Sequence, residues 1–213
     1  MKRAFFTFVI LSLMAAAGLA QSKTVDAPQA ARPLSVGIVV DNSGSYRTIF
    51  DRVLNAAKAV IDEMPAGDEG FLLTFVDAPK IKLRQEMTSD KSDLLDAAEN
   101  MFIEGGSTAI LDAVVYASKY MAQQAASGEG RTRVLLLITD GDERESSATI
   151  DDAIKAAKDA GIKIYVLGLH EEKFYAKIPD RLTRETGGSK FVPKTHRDTQ
   201  SATASLLSAI RAK

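Results

Sequence analysis

Residues 34–45 read LSVGIVVDNSGS. The run Leu34–Val40 is nearly continuous in apolar character and rich in β-branched side chains, and it stops at Asp41, with hydroxyls following at Ser43 and Ser45. A half-exposed strand alternates polar and apolar residues. A continuous apolar run of this length predicts a strand buried on both faces, the situation of a parallel sheet covered by helices. The same signature returns at Phe71–Val76 (FLLTFV), Val134–Ile138 (VLLLI) and Ile162–Leu169 (IKIYVLGL). Ile81–Met87 (IKLRQEM) alternates instead and suits an edge strand, and a short strand is expected at Lys190–Val192.

Helical spacing separates these runs. Ile49, Phe50, Val53, Leu54, Ala57, Val60, Ile61 and Met64 form one stripe, opened by a Thr48/Asp51 capping box and stopped by Pro65-Ala66-Gly67. Thr88-Ser89-Asp90 caps a helix carrying Leu94, Leu95, Ala98, Met101 and Phe102. Further helices are expected behind Gly105-Gly106-Ser107-Thr108, around Ile150–Ala157, over Phe174–Glu185 and from Thr199 to Arg211. Strands alternating with helices predict an α/β fold with helices on both sides of a mostly parallel sheet. Right-handed crossovers then place the strand carboxyl ends, with Asp41 and Asp140, on one rim, where such sheets bind ligands.

The chain has 213 residues and no cysteine, which excludes disulfides and thiolate metal sites. Its start, a basic Met1-Lys2-Arg3, an apolar Phe5–Leu13 and small residues up to Ala20, reads as a signal peptide over residues 1–20. Its apolar segment is short for the ~20 residues that span a bilayer, so cleavage and export, to the periplasm or outside the cell, are expected, with no membrane span in the mature chain; the alternative reading is an uncleaved N-terminal anchor. Gln21–Pro33 reads as a flexible leader and 34–213 as one domain. Cleavage removes Lys2 and Arg3 and leaves 25 Lys+Arg against 28 Asp+Glu. That balance gives no basic field for nucleic acid.

Three segments converge on the predicted rim: Asp41-Asn42-Ser43-Gly44-Ser45, Thr108 behind its glycine pair, and Asp140 at the end of VLLLIT. If the first stays extended, alternation turns residues 41, 43 and 45 toward one point. Each alone has a plain reading: turn chemistry for the first and third, a helix N-cap for Thr108. Together, in this order, DNSGS, GGSTAI and LLLITDGDE resemble the von Willebrand factor type A domain family, whose metal-ion-dependent adhesion site is written D-x-S-x-S, a later Thr and a later Asp. The resemblance runs from about Arg32 to Lys213. It implies a three-layer, Rossmann-like, doubly wound and mostly parallel sheet with one antiparallel edge strand. It also implies that Ser43, Ser45 and Thr108 offer hydroxyl oxygens to a metal, with Asp41 and Asp140 acting directly or through water. Tyr46 departs from the Met found in many bacterial relatives.

An all-oxygen set suits Mg²⁺ or Mn²⁺ better than Ca²⁺, which takes more ligands at longer range. Hydroxyl ligands leave the ion much of its charge, so the expected partner is a protein offering an Asp or Glu carboxylate. The chain ends directly after its last helix, so a stand-alone binding module is expected. Two other readings remain at this point: a scaffolding subunit braced by its cation, and a Mg²⁺-dependent phosphoryl hydrolase. The second is disfavoured because neither His170 nor His196 lies in the motifs to serve Ser43 as a base. Asp142, Glu143 and Glu145 read as a solvated acidic loop.

Overall fold

The computed structural model describes residues 32–124 and 130–212. The expected signal peptide and all but the last two residues of the leader lie outside them. Among the described residues six strands form one sheet: β1 (Leu34–Asp41), β2 (Glu69–Phe75), β3 (Lys82–Thr88), β4 (Thr132–Thr139), β5 (Ile162–Gly168) and β6 (Lys190–Phe191). Their spatial order is β3-β2-β1-β4-β5-β6. Only the β2–β3 pairing is antiparallel. The helices are α1 (Phe50–Asp62), α2 (Lys91–Glu99), α3 (Ile110–Gln124), α4 (Ile150–Asp159), α5 (Lys177–Thr186) and α6 (His196–Arg211). The expected three-layer, doubly wound architecture is what forms.

Strand β1 is buried along its whole length because each of its faces supplies a different core. Val36, Ile38 and Val40 pack with α1, α2 and α6. Val39 packs with Phe71, Leu135 and the α3–α4 side. Gly37 shares that second face and keeps its place there for lack of room: a Cβ would sit 2.4 Å from both the Phe71 ring and Leu135. From β1 the chain runs outward through β2 to β3, then returns to β4 on β1's other side and runs outward again. The carboxyl ends of β1 and β4 therefore flank the point where the winding reverses, and that is where a crevice opens in such sheets.

Several local expectations need correction. The Thr48/Asp51 capping box does not form. Gly44–Tyr46 makes a 3-10 turn that runs on through Ile49 N–H to Tyr46 O, so Ile49 becomes the N-cap and the Thr48 hydroxyl goes to Glu171 instead. Phe102 is not on a helical stripe: α2 ends at Glu99, Asn100 caps it through Asp96 O, and Asn42 Nδ2 holds the Phe102 carbonyl at 2.9 Å. Helix α5 starts at Lys177, later than expected, because Pro179 is tolerated only in a first turn. Helix α6 starts earlier, at His196, behind a capping box between Thr195 and Asp198.

Candidate metal centre

Asp41 is the last residue of β1 and is wholly buried. Its Oδ1 accepts the Ser43 backbone N–H at 3.0 Å and its Oδ2 accepts the Thr139 hydroxyl at 3.1 Å. The loop behind it is not extended. Ser43 has extended dihedrals, but the 3-10 turn follows at once, and the turn rather than strand alternation brings the Ser43 and Ser45 hydroxyls to 3.1 Å. Ser45 in turn bonds the Asp140 carboxylate. Asp140 follows β4 at 8% exposure, and its Oδ1 also accepts Asp142 N–H at 3.0 Å. Asp41, Ser43, Ser45 and Asp140 thus form one hydrogen-bonded chain.

Thr108 is held on the same rim through backbone contacts. Its neighbour Ala109 donates to Val76 O at 2.7 Å, and its own carbonyl accepts from Arg144 and Glu145 N–H. It lies two residues before α3 and is almost buried, at 5% exposure, so it is not the residue that flanks that helix as N-cap. The preceding Gly106 has φ +141, and a Cβ there would meet Val76 at 2.6 Å, so the close approach of this loop to the end of β2 demands glycine.

The electrostatics are unusual for structural carboxylates. Burial, helped by the Asp140 charge, pushes the Asp41 carboxyl up to about 7 against the pull of its Ser43 and Thr139 hydrogen bonds. Asp140 is raised as well, chiefly by burial, with Asp142 N–H and the Ser45 hydroxyl working the other way. Two carboxylates act on one another in a desolvated setting; Asp41 has no cation acting strongly on it, and Arg144, exposed and paired with Asp142, draws only Asp140 down. Such a pair is costly unless a positive charge joins it. The donors around the pair are hydroxyls and backbone N–H groups, and among the described residues no three His, Cys, Asp or Glu side chains are grouped so as to hold a metal by themselves. The residues present fit a small hard cation that keeps some of its water, not a carboxylate cage.

The second ring around this centre was invisible to motif reading. Of Asp142, Glu143 and Glu145, expected as a solvated acidic loop, Glu145 is exposed as expected, but Glu143 is not a solvated side chain. Glu143 accepts from Leu111 N–H, Ser146 N–H and the Ser146 hydroxyl, and Asp112 accepts from Ser147 and Ala148 N–H, so this stretch straps β4 to the amino end of α3. Asp142 pairs with Arg144. The loop after β5 folds back over the site: Tyr175 N–H donates to Asp140 O at 2.8 Å, and Gly141 (φ +82) leaves no room for a Cβ, which would lie 2.1 Å from Tyr175 O. A polar cleft of about 340 Å³ opens between Ser45, Asp140 and this loop. Tyr46 is a core residue whose hydroxyl donates to Leu169 O at 2.9 Å, tying the motif loop to the end of β5. Thr139, a polar residue closing the apolar run Val134–Ile138, had a readable signal.

Neither histidine joins the chain of hydroxyls and carboxylates. His170 packs near Phe174, its ring nitrogen Nδ1 buried without a hydrogen-bond partner, and burial together with the nearby Arg52 lowers its pKa. Its carbonyl, with that of Pro193 and the Thr199 hydroxyl, accepts from Arg52, which pins α1 to α6 and to the loop after β5.

Known proteins carry the same frame. An aerotolerance-related membrane protein from Bacteroides fragilis, solved with multiple mutations to serines, superposes with a TM-score of 0.69 at 18% identity over 84% of this chain and 100% of that one. The conserved hypothetical protein BatB from Bacteroides thetaiotaomicron gives 0.68 at 19% identity with the same coverages, 84% and 100%. A von Willebrand factor type A protein from Catenulispora acidiphila gives 0.70 at 18%, over 84% of this chain and 43% of that one. At these identities the likeness is one of fold. Among the described residues no helix is long and apolar enough to cross a membrane. The family model of the von Willebrand factor type A domain matches residues 35–202, most of the sequence including all three motif segments, and the chain belongs to that family.

Proposed function

We propose that this chain is an exported protein-binding module that captures an Asp or Glu side chain of a protein partner through one divalent cation, Mg²⁺ or Mn²⁺. In this reading residues 1–20 are a cleaved signal peptide and 34–213 the binding domain. Ser43, Ser45 and Thr108 hold the ion by their hydroxyls, and Asp41 and Asp140 hold it directly or through water. When bound, the ion supplies a Lewis-acidic position that a partner's carboxylate oxygen can complete.

The observation that carries the reading is the buried carboxylate pair. Asp41 is fully buried, raised to about 7, hydrogen-bonded only by neutral groups, and feels the Asp140 charge, while Arg144 acts on Asp140 from an exposed position where it is already paired with Asp142. The chain's own residues do the preparatory work. Thr139 and Ser43 orient the Asp41 carboxylate, Ser45 bridges to Asp140, and Gly106 and Gly141 let the flanking loops close in. Ser43 and Ser45 hydrogen-bond to one another and onward to Asp140 rather than to an imidazole, which favours binding over nucleophilic catalysis.

Calorimetric titration of the protein with Mg²⁺ and Mn²⁺, beside Asp41→Ala and Thr108→Ala, tests this. Saturable one-site binding that both substitutions weaken is the expected result. Identical isotherms for wild type and variants would end the assignment. A cation that raises thermal stability without raising partner affinity would make the ion a brace, as in a scaffolding subunit.

A further inference from the structure

Large apolar side chains exposed singly on a surface need no explanation. Here two of them flank one site. Of the three exposed large hydrophobics among the described residues, Phe102 (51%), Tyr116 (42%) and Tyr175 (36%), the first and last border the candidate metal centre. The Phe102 carbonyl is bonded to Asn42, the residue after Asp41, and Tyr175 N–H is bonded to the Asp140 carbonyl. Phe102 is therefore attached to the side chain that follows Asp41 and Tyr175 to the backbone of Asp140, and they lie on opposite sides: Phe102 toward β2 and β3, Tyr175 in the loop after β5.

Both rings carry a cation on one face. Arg84 Cζ stands 4.9 Å from the Phe102 centroid and Lys173 Nζ 4.4 Å from that of Tyr175. Arg84 is itself fixed, through Thr74 and the nearly buried Glu104, so the Phe102 ring is held against a braced guanidinium. Aromatic and arginine side chains of this kind, rigid and presented at low entropic cost, dominate the binding energy of protein interfaces.

We infer that the surface around the metal centre binds an extended protein segment in which one acidic residue, destined for the ion, is flanked on both sides by apolar side chains that rest on Phe102 and on Tyr175. The inference deepens the proposed function and rests on it. The dimensions agree. Four strand spacings separate β3, which carries Arg84, from β5; at the usual spacing that is on the order of 19 Å, the reach of about six extended residues.

The test uses the wild-type protein and a displayed library of random peptides, selected in Mg²⁺ and released with chelator. Enriched peptides should carry an Asp or Glu with aromatic or branched aliphatic residues close on both sides. The best of them, made synthetically, should bind Phe102→Ser and Tyr175→Ser roughly tenfold more weakly each, while the Mg²⁺ isotherm of both variants stays that of wild type. Enriched acidic peptides with no apolar flanks, or variants that bind the peptide as wild type does, would overturn the inference and leave the metal centre standing. A wild type that takes no Mg²⁺ overturns both. Self-association that disappears in Phe102→Ser would assign the aromatics to a second copy of this chain and overturn the peptide reading.

Discussion

Strand β1 has a buried aspartate at each end, and the two are treated differently. At its amino end Asp68, 3% exposed, accepts Leu34 N–H at 2.8 Å and is gripped by the Arg211 guanidinium through both oxygens. At its carboxyl end Asp41, equally buried, has only neutral donors and a second carboxylate for company. Asp68 is a closed circuit. It ties the start of β1 to the end of α6, and its charge is cancelled by the chain. Asp41 is an open one, where the proposed cation would supply the positive partner. Burial and residue type are the same in both places; the difference is whether the fold supplies the counter-charge.

That contrast predicts opposite responses to the same change. The largest effect is expected at the open end: Asp41→Asn should cost about 10–100-fold in Mg²⁺ affinity by calorimetry, the range for losing a group that orients or completes a metal site. In the presence of chelator the same variant should melt no lower than wild type. At the closed end, Arg211→Met should destabilise by about 2 kcal/mol in denaturant titrations, below the full cost of breaking a buried pair because a quarter of the Arg211 side chain is exposed. Its Mg²⁺ isotherm should not move. A metal-binding defect in Arg211→Met of the size seen in Asp41→Asn would dissolve the distinction.

The next effect is a pH dependence at the open end. With its folded-state pKa raised from 3.8 to about 7, Asp41 holds its proton more tightly in the folded protein than in the unfolded chain. Its contribution to stability is therefore complete below pH 3.8 and is lost as pH rises through about 7. Melting temperatures in chelator should fall across that window for wild type relative to Asp41→Asn, and saturating Mg²⁺ should abolish the difference. The smallest effect belongs to Thr139→Val, which removes the donor to Asp41 Oδ2. It should push the Asp41 titration higher still and weaken Mg²⁺ by a few-fold, in keeping with about 1 kcal/mol for one such hydrogen bond.

Much of this is legible in the sequence. The apolar runs of β1, β2, β4 and β5 announced a buried sheet, and the polar residue ending two of them announced the rim. The helix boundaries were harder. Thr48 and Asp51 have capping chemistry, yet the 3-10 turn at Gly44–Tyr46 moves the helix start past them. Phe102 sits at helical spacing from Leu94 and Ala98, yet a long-range bond from Asn42 draws its carbonyl out of the helix. Glu143 looked solvated because nothing in its neighbourhood says that Leu111 N–H, 32 positions earlier, would be its partner.

By itself, then, the sequence determined the α/β alternation, the strand ends that carry Asp41 and Asp140, and the hydroxyls that follow, because these are local matters of periodicity and residue type. The tertiary structure decided which charges cancel. Arg211 reaches Asp68 across 143 positions, while Asp41 and Asp140, 99 apart, meet with hydroxyls between them and no cation among their close hydrogen-bonding partners. Whether a buried carboxylate is a brace or a binding site depends on what the fold brings within a few ångströms of it, and no local pattern carries that distance.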